Sequence, residues 1–391
     1  MFDVAIIGSG PVGSHLACRM AELGYGVAVL DRGKQAGEKI SCTGIISQEC
    51  VSSFAIPDDV ILRRVNSASL FSPSGGLLRL HREETQAYIL DRAAFDRNLA
   101  SRAWDKGAEY IFETSVSKIA IEDDGVSVVT SRQQQEAILK ARIAIIAAGF
   151  GSRLSEQTGL GSFKDFVMGA QAEVTTTGIE EVEVYFGREI APGFFGWLVP
   201  TSSQTARVGL LSRQNPGLYF RKLLESLKAQ GKIASAKAMA SYGGIPLKPL
   251  PKTCGERLIV VGDAAGQVKP TTGGGIYYGL LCADIAATVL HEALKSDDLS
   301  AGNLAEYERR WRKKLGRELK IGYWARKIFE RLSDRQIDRL FKTVTSKGID
   351  EKLLKEKGLS FDWHGKAILR LLGHSMVARA VNLVKFPFKT G

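Results

Sequence analysis

The strongest constraint on this chain is a glycine-rich turn set between two apolar strands at its N-terminus. Val4-Ala5-Ile6-Ile7 reads as a buried strand, Gly8-Ser9-Gly10-Pro11-Val12-Gly13 as a tight turn opening a helix, and Val27-Ala28-Val29-Leu30-Asp31 as a second strand. Strand, G-x-G-x-x-G, helix, strand and acid follow one another as in a dinucleotide-binding βαβ unit, which commits the chain to a parallel sheet with helices against it. Gly8 permits the turn, Gly10 lets backbone approach a pyrophosphate, and Gly13 lets helix and strand pack closely. The helix N-terminus offers free N–H groups and the positive end of its dipole. Asp31 stands 18 residues after Gly13. A carboxylate there accepts from both ribose hydroxyls and repels a 2′-phosphate.

A second segment of the same kind follows about 250 residues later. Leu258-Ile259-Val260-Val261 reads as a strand, and Gly262-Asp263-Ala264-Ala265 lies at its C-terminal end, where doubly wound sheets collect ligands. Pro270-Thr271-Thr272-Gly273-Gly274-Gly275 then runs into the helical pattern beginning at Ile276. Three successive glycines alone read equally well as a flexible loop; the strand before and the helix after favour a second grip. Two grips at opposite ends of a long insertion predict one bound FAD. Asp263 is placed to accept from a ribityl hydroxyl, and the helix N-terminus after Gly275 would face the flavin ring, where negative charge builds on reduction.

At 391 residues, two or three substructures are expected. No apolar run approaches the roughly 20 residues that span a bilayer, and no charged segment precedes the first strand as in a signal peptide. A cytoplasmic location is expected. The five cysteines (18, 42, 50, 254, 282) show no paired spacing, so neither disulfides nor a metal site is expected. His291-Glu292 begins like a zinc-protease helix, but position 295 is Lys. The net charge of +11 lies in the C-terminal quarter: residues 301–391 carry 22 Lys and Arg against 10 Asp and Glu. No nucleic-acid-binding motif accompanies it, so nucleic acid is not an expected partner.

The expected fold class is α/β, in interleaved pieces. Residues 1–60, 88–164 and 255–299 form a three-piece FAD-binding Rossmann-like domain. Residues 61–87 and 165–254 form an inserted antiparallel β-sheet substrate domain, and 300–391 a basic helical C-terminal region. Within the insert, 168–176, 183–186, 193–199 and 206–211 read as strands. Alternation puts Phe195, Trp197 and Val199 on one face, open to two uses: packing a core or lining a ligand. A helix spans about 92–106, with Asp91 as its cap. In the C-terminal region Trp311, Leu315 and Leu319, then Trp324, Ile328 and Leu332, recur every four residues.

Over nearly its full length the chain resembles the geranylgeranyl reductases, within the flavoproteins of the para-hydroxybenzoate hydroxylase fold. Beyond the FAD signatures the likeness rests on Ser41-Cys42-Thr43-Gly44-Ile45-Ile46-Ser47, on Ile190 to Pro200 with its Gly193-Phe194-Phe195-Gly196-Trp197-Leu198-Val199-Pro200 core, on Ala206-Arg207-Val208-Gly209-Leu210, and on Leu332-Ser333-Asp334. The resemblance implies an FAD-dependent enzyme that reduces C=C bonds of a polyprenyl chain. It implies that Val12, Gly13 and Asp31, with the neighbouring Arg32, hold the ADP half. Arg92 would reach the pyrophosphate and Val116 the adenine, through its backbone. Cys42, Thr43 and Ile45 would lie along the flavin ring, and Asp263, Gly275 and Ile276 would hold the ribityl chain and ring. Phe195, Trp197 and Pro200 would line the lipid pocket. Thr43 and Thr201 depart from the family pattern, which has Gly or an acid at the first position and a cation at the second; both bear on headgroup and electron donor.

An isolated alkene has no carbonyl to polarise, so a proton must accompany the hydride. Two uses are open for Cys42: proton donor or pocket gate, and small buried packing residue. The electron donor is either reduced ferredoxin or NAD(P)H. The basic C-terminal region suits an anionic membrane surface or an acidic redox partner, or is simply a solvated face. Three rival readings remain open at this stage: a flavin monooxygenase hydroxylating an aromatic or quinone, a redox-neutral polyprenyl cyclase or isomerase, and a non-catalytic flavin-bound lipid carrier.

Overall fold

The strand Phe2–Ile7 is buried over its last four positions, as its unbroken apolar run requires. In this computed structural model, which describes residues 1–38, 40–346 and 361–373, it pairs in parallel with Val27–Leu30 on one side and with the end of Gln135–Ile146 on the other. Glu109–Ile111 extends the sheet beyond Val27–Leu30, and Leu258–Val260 extends it beyond Ile146, both in parallel. The long strand Gln135–Ile146 changes partner along its length. Its exposed first half pairs antiparallel with Val126–Arg132, which pairs with Ser115–Ile121; its buried end joins the parallel core.

Three helices accompany this sheet: Pro11–Glu22, Arg92–Asp105 and Ile276–Lys295, the first packed against the other two. Pro11 suits a first helical position because it has no N–H to leave unpaired. Asp91 caps the second by accepting from the Ala94 N–H at 3.0 Å. These elements belong to one unit made of Met1–Ile40, Asp91–Phe166 and Gly244–Arg317. The helix Ala301–Phe329 buries Trp311, Leu315 and Leu319 at the expected spacing, and the Trp311 indole donates to Thr253 Oγ1 at 2.9 Å. The second stripe does not continue: Trp324 is exposed, and the helix ends at Phe329. Leu332 instead joins Ile337, Phe341 and Val344 of the helix Asp334–Ser346. Residues 347–360 and 374–391 of the expected C-terminal region lie outside the described residues.

The other unit comprises Ser41–Leu90, Val167–Gly243 and the described residues from Glu318 onward. Its larger sheet has seven strands in the order Ser241–Pro246, Phe166–Thr175, Thr205–Ser212, Gly196–Pro200, Val182–Tyr185, Ser67–Phe71 and Leu77–His81. The expectation of an antiparallel sheet meets one exception. Val182–Tyr185 runs parallel to Ser67–Phe71, because about 110 residues separate the two strands and the chain returns from elsewhere rather than through a hairpin. One face is covered by the helix Pro216–Ala229, whose Phe220, Leu223, Leu224 and Leu227 pack on Leu198, Val208 and Leu210. The sequence reading lacked this helix. Asn215 takes the left-handed conformation and Pro216 opens the helix. A separate three-stranded antiparallel sheet joins Ile45–Ser47, Ala87–Leu90 and Ile61–Val65.

A buried hydrogen-bonded chain fixes the turn after Leu258–Val260. The Gly262 N–H donates to Gln267 Oε1 (2.8 Å), Gln267 Nε2 donates to the Tyr307 hydroxyl (2.7 Å), and that hydroxyl donates to the Val260 carbonyl (3.0 Å). Gln267 and Tyr307 are fully buried. Gln267→Leu strands the Gly262 N–H in the core, while the Tyr307 hydroxyl keeps its bond to Val260, and should cost about 1–3 kcal/mol by urea unfolding. Tyr307→Phe, which takes the acceptor from Gln267 Nε2 and the donor from the Val260 carbonyl, should cost a similar amount.

Candidate functional site

In the first glycine turn, two glycines pack and one stays open. Gly8 sits at φ 113°, and a Cβ there would lie 2.5 Å from the Ala147 carbonyl oxygen. A Cβ on Gly13 would lie 2.0 Å from the Gly8 carbonyl oxygen. One on Gly10 would meet nothing within 4 Å. The open side lies at the N-terminus of the helix Pro11–Glu22, whose N-cap Gly10 has no side chain to satisfy the first-turn amides. Backbone donors therefore face free space, as an anion site requires.

The second turn meets the first at Val12. A Cβ on Gly262 would come within 3.1 Å of Val12 Cγ2, and one on Gly279, in the first turn of the helix Ile276–Lys295, within 2.4 Å. Gly262, at φ 68°, both makes the turn and admits the valine. Asp263 follows. A Cβ on Gly275, the N-cap of that helix, would fall 2.3 Å from Asp263 Oδ1, so the carboxylate occupies the space that Gly275 leaves. Among the described residues nothing donates a hydrogen bond to this carboxylate. Burial pushes it up to about 6, with the Arg92 guanidinium pulling the other way. Ile276 is half-buried beside Gly275. Within the loop, the Gly273 N–H donates to the Lys269 carbonyl and the Lys269 N–H to the Gly274 carbonyl.

The other first-unit residues stand around these turns differently. Asp31 Oδ2 accepts from the Ser9 N–H (2.7 Å) and hydroxyl (2.8 Å), and Oδ1 from the Gly33 N–H (2.7 Å). Its carboxylate thus ties the glycine turn to the end of Val27–Leu30. Arg32 is exposed. Arg92 is buried and grips Asp96 with two parallel bonds of 3.0 Å, while burial raises the Asp96 carboxyl. Val116 lies in Ser115–Ile121, opposite Thr130 at a register shift. Among the described residues no three His, Cys, Asp or Glu side chains gather as a metal-binding group.

The remaining predicted residues belong to the second unit and form a group of their own. Trp197 is opposite Gly209, which is opposite Gln171, so the three lie in one row on the sheet face away from the helix Pro216–Ala229. The indole lies across Gly209: a Cβ there would be 2.3 Å from Trp197 Cζ2. Trp197, like Ile45 and Val182, packs against the buried cluster of Val65, Ala87, Ile89 and Val199, and its buried Nε1 has no hydrogen-bond partner among the described residues. Phe195 is tilted against Trp197 at 6.0 Å and against Phe186 at 6.2 Å. Pro200 ends the same strand, opposite Ala206.

The Cys42–Ile45 segment is held to this face. Thr43 Oγ1 donates to Gln171 Oε1 (2.7 Å), and Arg207 Nη1 donates to the carbonyls of Thr43 (2.7 Å) and Leu90 (2.9 Å). Cys42 is half-buried, and its Sγ accepts from the Gly44 N–H at 3.4 Å. The sequence reading assigned no role to Gln171, Arg207, Gly209, Gln267 or Gly279. Only Gly209 and Arg207 carried a signal, as part of the motif after Trp197. Elsewhere in this unit, Arg326 lies over Phe194 at 4.4 Å and donates to the Gly193 carbonyl; burial lowers its guanidinium to about 10.

Comparison with known proteins gives a consistent result. The profile of the family described as lycopene cyclase protein matches residues 3–355. A digeranylgeranylglycerophospholipid reductase of Methanocaldococcus jannaschii is 33% identical over 90% of this chain and 93% of its own length. A solved geranylgeranyl bacteriochlorophyll reductase-like protein of Thermoplasma acidophilum superposes with a TM-score of 0.85 over 98% of this chain and 99% of its own, at 23% identity. A halogenase solved with phloroglucinol and FAD shares the fold at a TM-score of 0.68 and 19% identity, over 97% of this chain and 85% of its own. With a third of its residues shared over nine-tenths of its length, the chain belongs to the geranylgeranyl reductase family, and residues 3–355 also match the profile described as lycopene cyclase protein.

Proposed function

We propose that this chain is an FAD-dependent oxidoreductase that reduces C=C bonds in a geranylgeranyl chain of a lipid. The observation that carries the proposal is the meeting of two glycine turns at Val12, with one open backbone cradle at Gly10 and one dehydrated, unbonded carboxylate at Asp263. Those features fit an FAD: amides for a pyrophosphate, a carboxylate for a hydroxyl. The name carried by the 33% identical relative supplies the substrate class.

In this reading the first unit, three chain segments, is the FAD-binding domain, and the second is the substrate domain. Gly8, Gly10, Val12 and Gly13 form the pyrophosphate turn. Asp31 and Arg32 serve the ribose side and Val116 the adenine. Arg92 adds positive charge while pinned by Asp96. Asp263, Gly275 and Ile276 hold the ribityl chain and ring. FAD, when bound, supplies the hydride. The chain's own tasks are to orient the alkene, keep water away and deliver a proton. Phe195, Trp197 and Pro200 provide an apolar wall. Thr43 and Ile45 set the loop that carries Cys42, whose Sγ accepts from Gly44 and so keeps its S–H proton available to donate. The donor of electrons is reduced ferredoxin or NAD(P)H, and the enzyme works at an anionic membrane surface as a peripheral protein. Among the described residues no helix is long and apolar enough to cross a membrane. A second reading, a redox-neutral polyprenyl cyclase, is favoured by the description of the matching family.

Anaerobic incubation with dithionite and a geranylgeranyl lipid separates these. Hydrogen gain by mass spectrometry supports the reductase, and unchanged mass with a new isomer supports the cyclase. Cys42→Ala should lower the rate about 100-fold or more with FAD content intact if its thiol is the donor. Unchanged reduction would remove that role. Gly209→Ala drives a methyl into the Trp197 ring. It should shift tryptophan fluorescence and lower kcat/KM for the long chain about tenfold, leaving FAD binding unaltered.

Asp263 makes a pH prediction. Its folded-state value, about 6, lies above the ordinary 3.8, so the folded protein binds the extra proton between those limits. Stability of the flavin-free protein should therefore fall as pH rises from about 4 to about 6 and then level off. Asp263→Asn should raise the flavin-free Tm at pH 7, leave it nearly unchanged at pH 4, and weaken FAD binding.

A further inference from the structure

The helix Pro216–Ala229 has a buried face on the sheet and a second face beside the irregular segment 236–240. Between them lies a groove of about 910 Å³. Its rim carries large apolar side chains in water: Met239 is 96% exposed, Tyr242 55% and Leu218 42%. Arg221 and Lys237 stand exposed on the same lining. From Ser226 to Gly243 the sequence has three lysines and no carboxylate. Lys232 is spent on Glu183, which leaves Lys228 and Lys237 to the solvent.

We propose that this groove docks on an anionic phospholipid bilayer. Met239, Leu218 and Tyr242 enter the headgroup boundary, while Arg221 and Lys237 meet phosphates. Isolated apolar side chains are ordinary on a protein surface, but three on one rim, with Arg221 and Lys237 on the same lining, have the composition of an interfacial contact. A tyrosine suits that boundary, with an apolar ring and a polar end. A second copy of the chain would bring the same cations against themselves, which disfavours self-association here. The choice of a bilayer rests on the reductase reading, since a geranylgeranyl lipid must be drawn from a membrane. The groove itself does not depend on that reading.

The test uses the full chain loaded with FAD and two kinds of vesicle, phosphatidylcholine alone and phosphatidylcholine with phosphatidylglycerol. Co-sedimentation should favour the anionic vesicles and weaken with salt. The double variant Arg221→Glu with Lys237→Glu should bind them about tenfold or more weakly. The double variant Leu218→Glu with Met239→Glu should lose a similar factor even at low salt. FAD content and reduction of a detergent-solubilised prenyl lipid should match the unaltered protein in both, which shows that each variant is folded. Equal binding to the two vesicle types, or both variants binding like the unaltered chain, overturns the proposal. So does a concentration-dependent dimer that Met239→Glu abolishes, which would give the face to a second copy. If the vesicle results hold and no prenyl lipid is ever reduced, the docking surface stands and the reductase reading falls.

Discussion

The contact of one valine with two glycines is what the first unit depends on. Val12 sits in the first turn of its helix, and its isopropyl group fills the space left by the missing side chains of Gly262 and Gly279. Those residues are about 250 positions away in sequence. The close approach brings the helices Pro11–Glu22 and Ile276–Lys295 together. It also sets Gly262 so that its N–H reaches Gln267. A methyl group at Gly279 would sit 2.4 Å from Val12, well inside contact distance, so the two turns would separate. The surface that results presents backbone amides rather than side chains, which costs no rotamer entropy when an anion binds.

The second unit achieves rigidity by a different route. Strand alternation gives its larger sheet one face for the helix Pro216–Ala229 and another for Trp197, Gln171 and Arg207. On that second face the polar side chains point to backbone and loop rather than to solvent. Arg207 holds two carbonyls, and Gln171 holds the Thr43 hydroxyl. The Cys42 loop is therefore fixed by hydrogen bonds from a sheet, and its neighbour Trp197 by van der Waals contact with a strand that lacks a side chain at Gly209. Under the proposed function, a thiol on such a support needs little further ordering to meet its substrate.

Much of this was legible in the sequence, and the failures have a common cause. Strands such as Phe2–Ile7, Val27–Leu30 and Leu258–Val260 declare themselves by unbroken apolar runs, and the helix Arg92–Asp105 by its Asp91 cap. These are local signals. The helix Pro216–Ala229 carries Phe220, Leu223, Leu224 and Leu227 at helical spacing, but it lies within a stretch whose neighbouring strands suggest sheet throughout. Trp324 keeps the spacing of a buried stripe and is exposed, because burial depends on what lies opposite and not on periodicity alone. Gly279 is silent in sequence and Gly209 shows only as part of a motif: each exists for a side chain remote from it, Val12 and Trp197. The parallel pairing of Val182–Tyr185 is equally invisible, since strand direction is settled by a return path and not by the strand.

The two acids expected to bind the nucleotide are in opposite states, and that difference assigns them unequal weight. Asp31 already accepts three hydrogen bonds, from Ser9 twice and from Gly33. Of roughly four acceptor sites on a carboxylate, one is left for a ribose. Asp263 accepts none among the described residues and is partly dehydrated. A hydroxyl that reaches Asp31 exchanges one good bond with water for another and gains little. A hydroxyl that reaches Asp263 satisfies a carboxylate that the fold has partly dehydrated and left without a hydrogen bond among the described residues, so more of the interaction counts toward binding. Asp31 is then chiefly the brace that holds the first turn in shape. Under the proposed function, Asp263 therefore contributes more to FAD binding than Asp31 does.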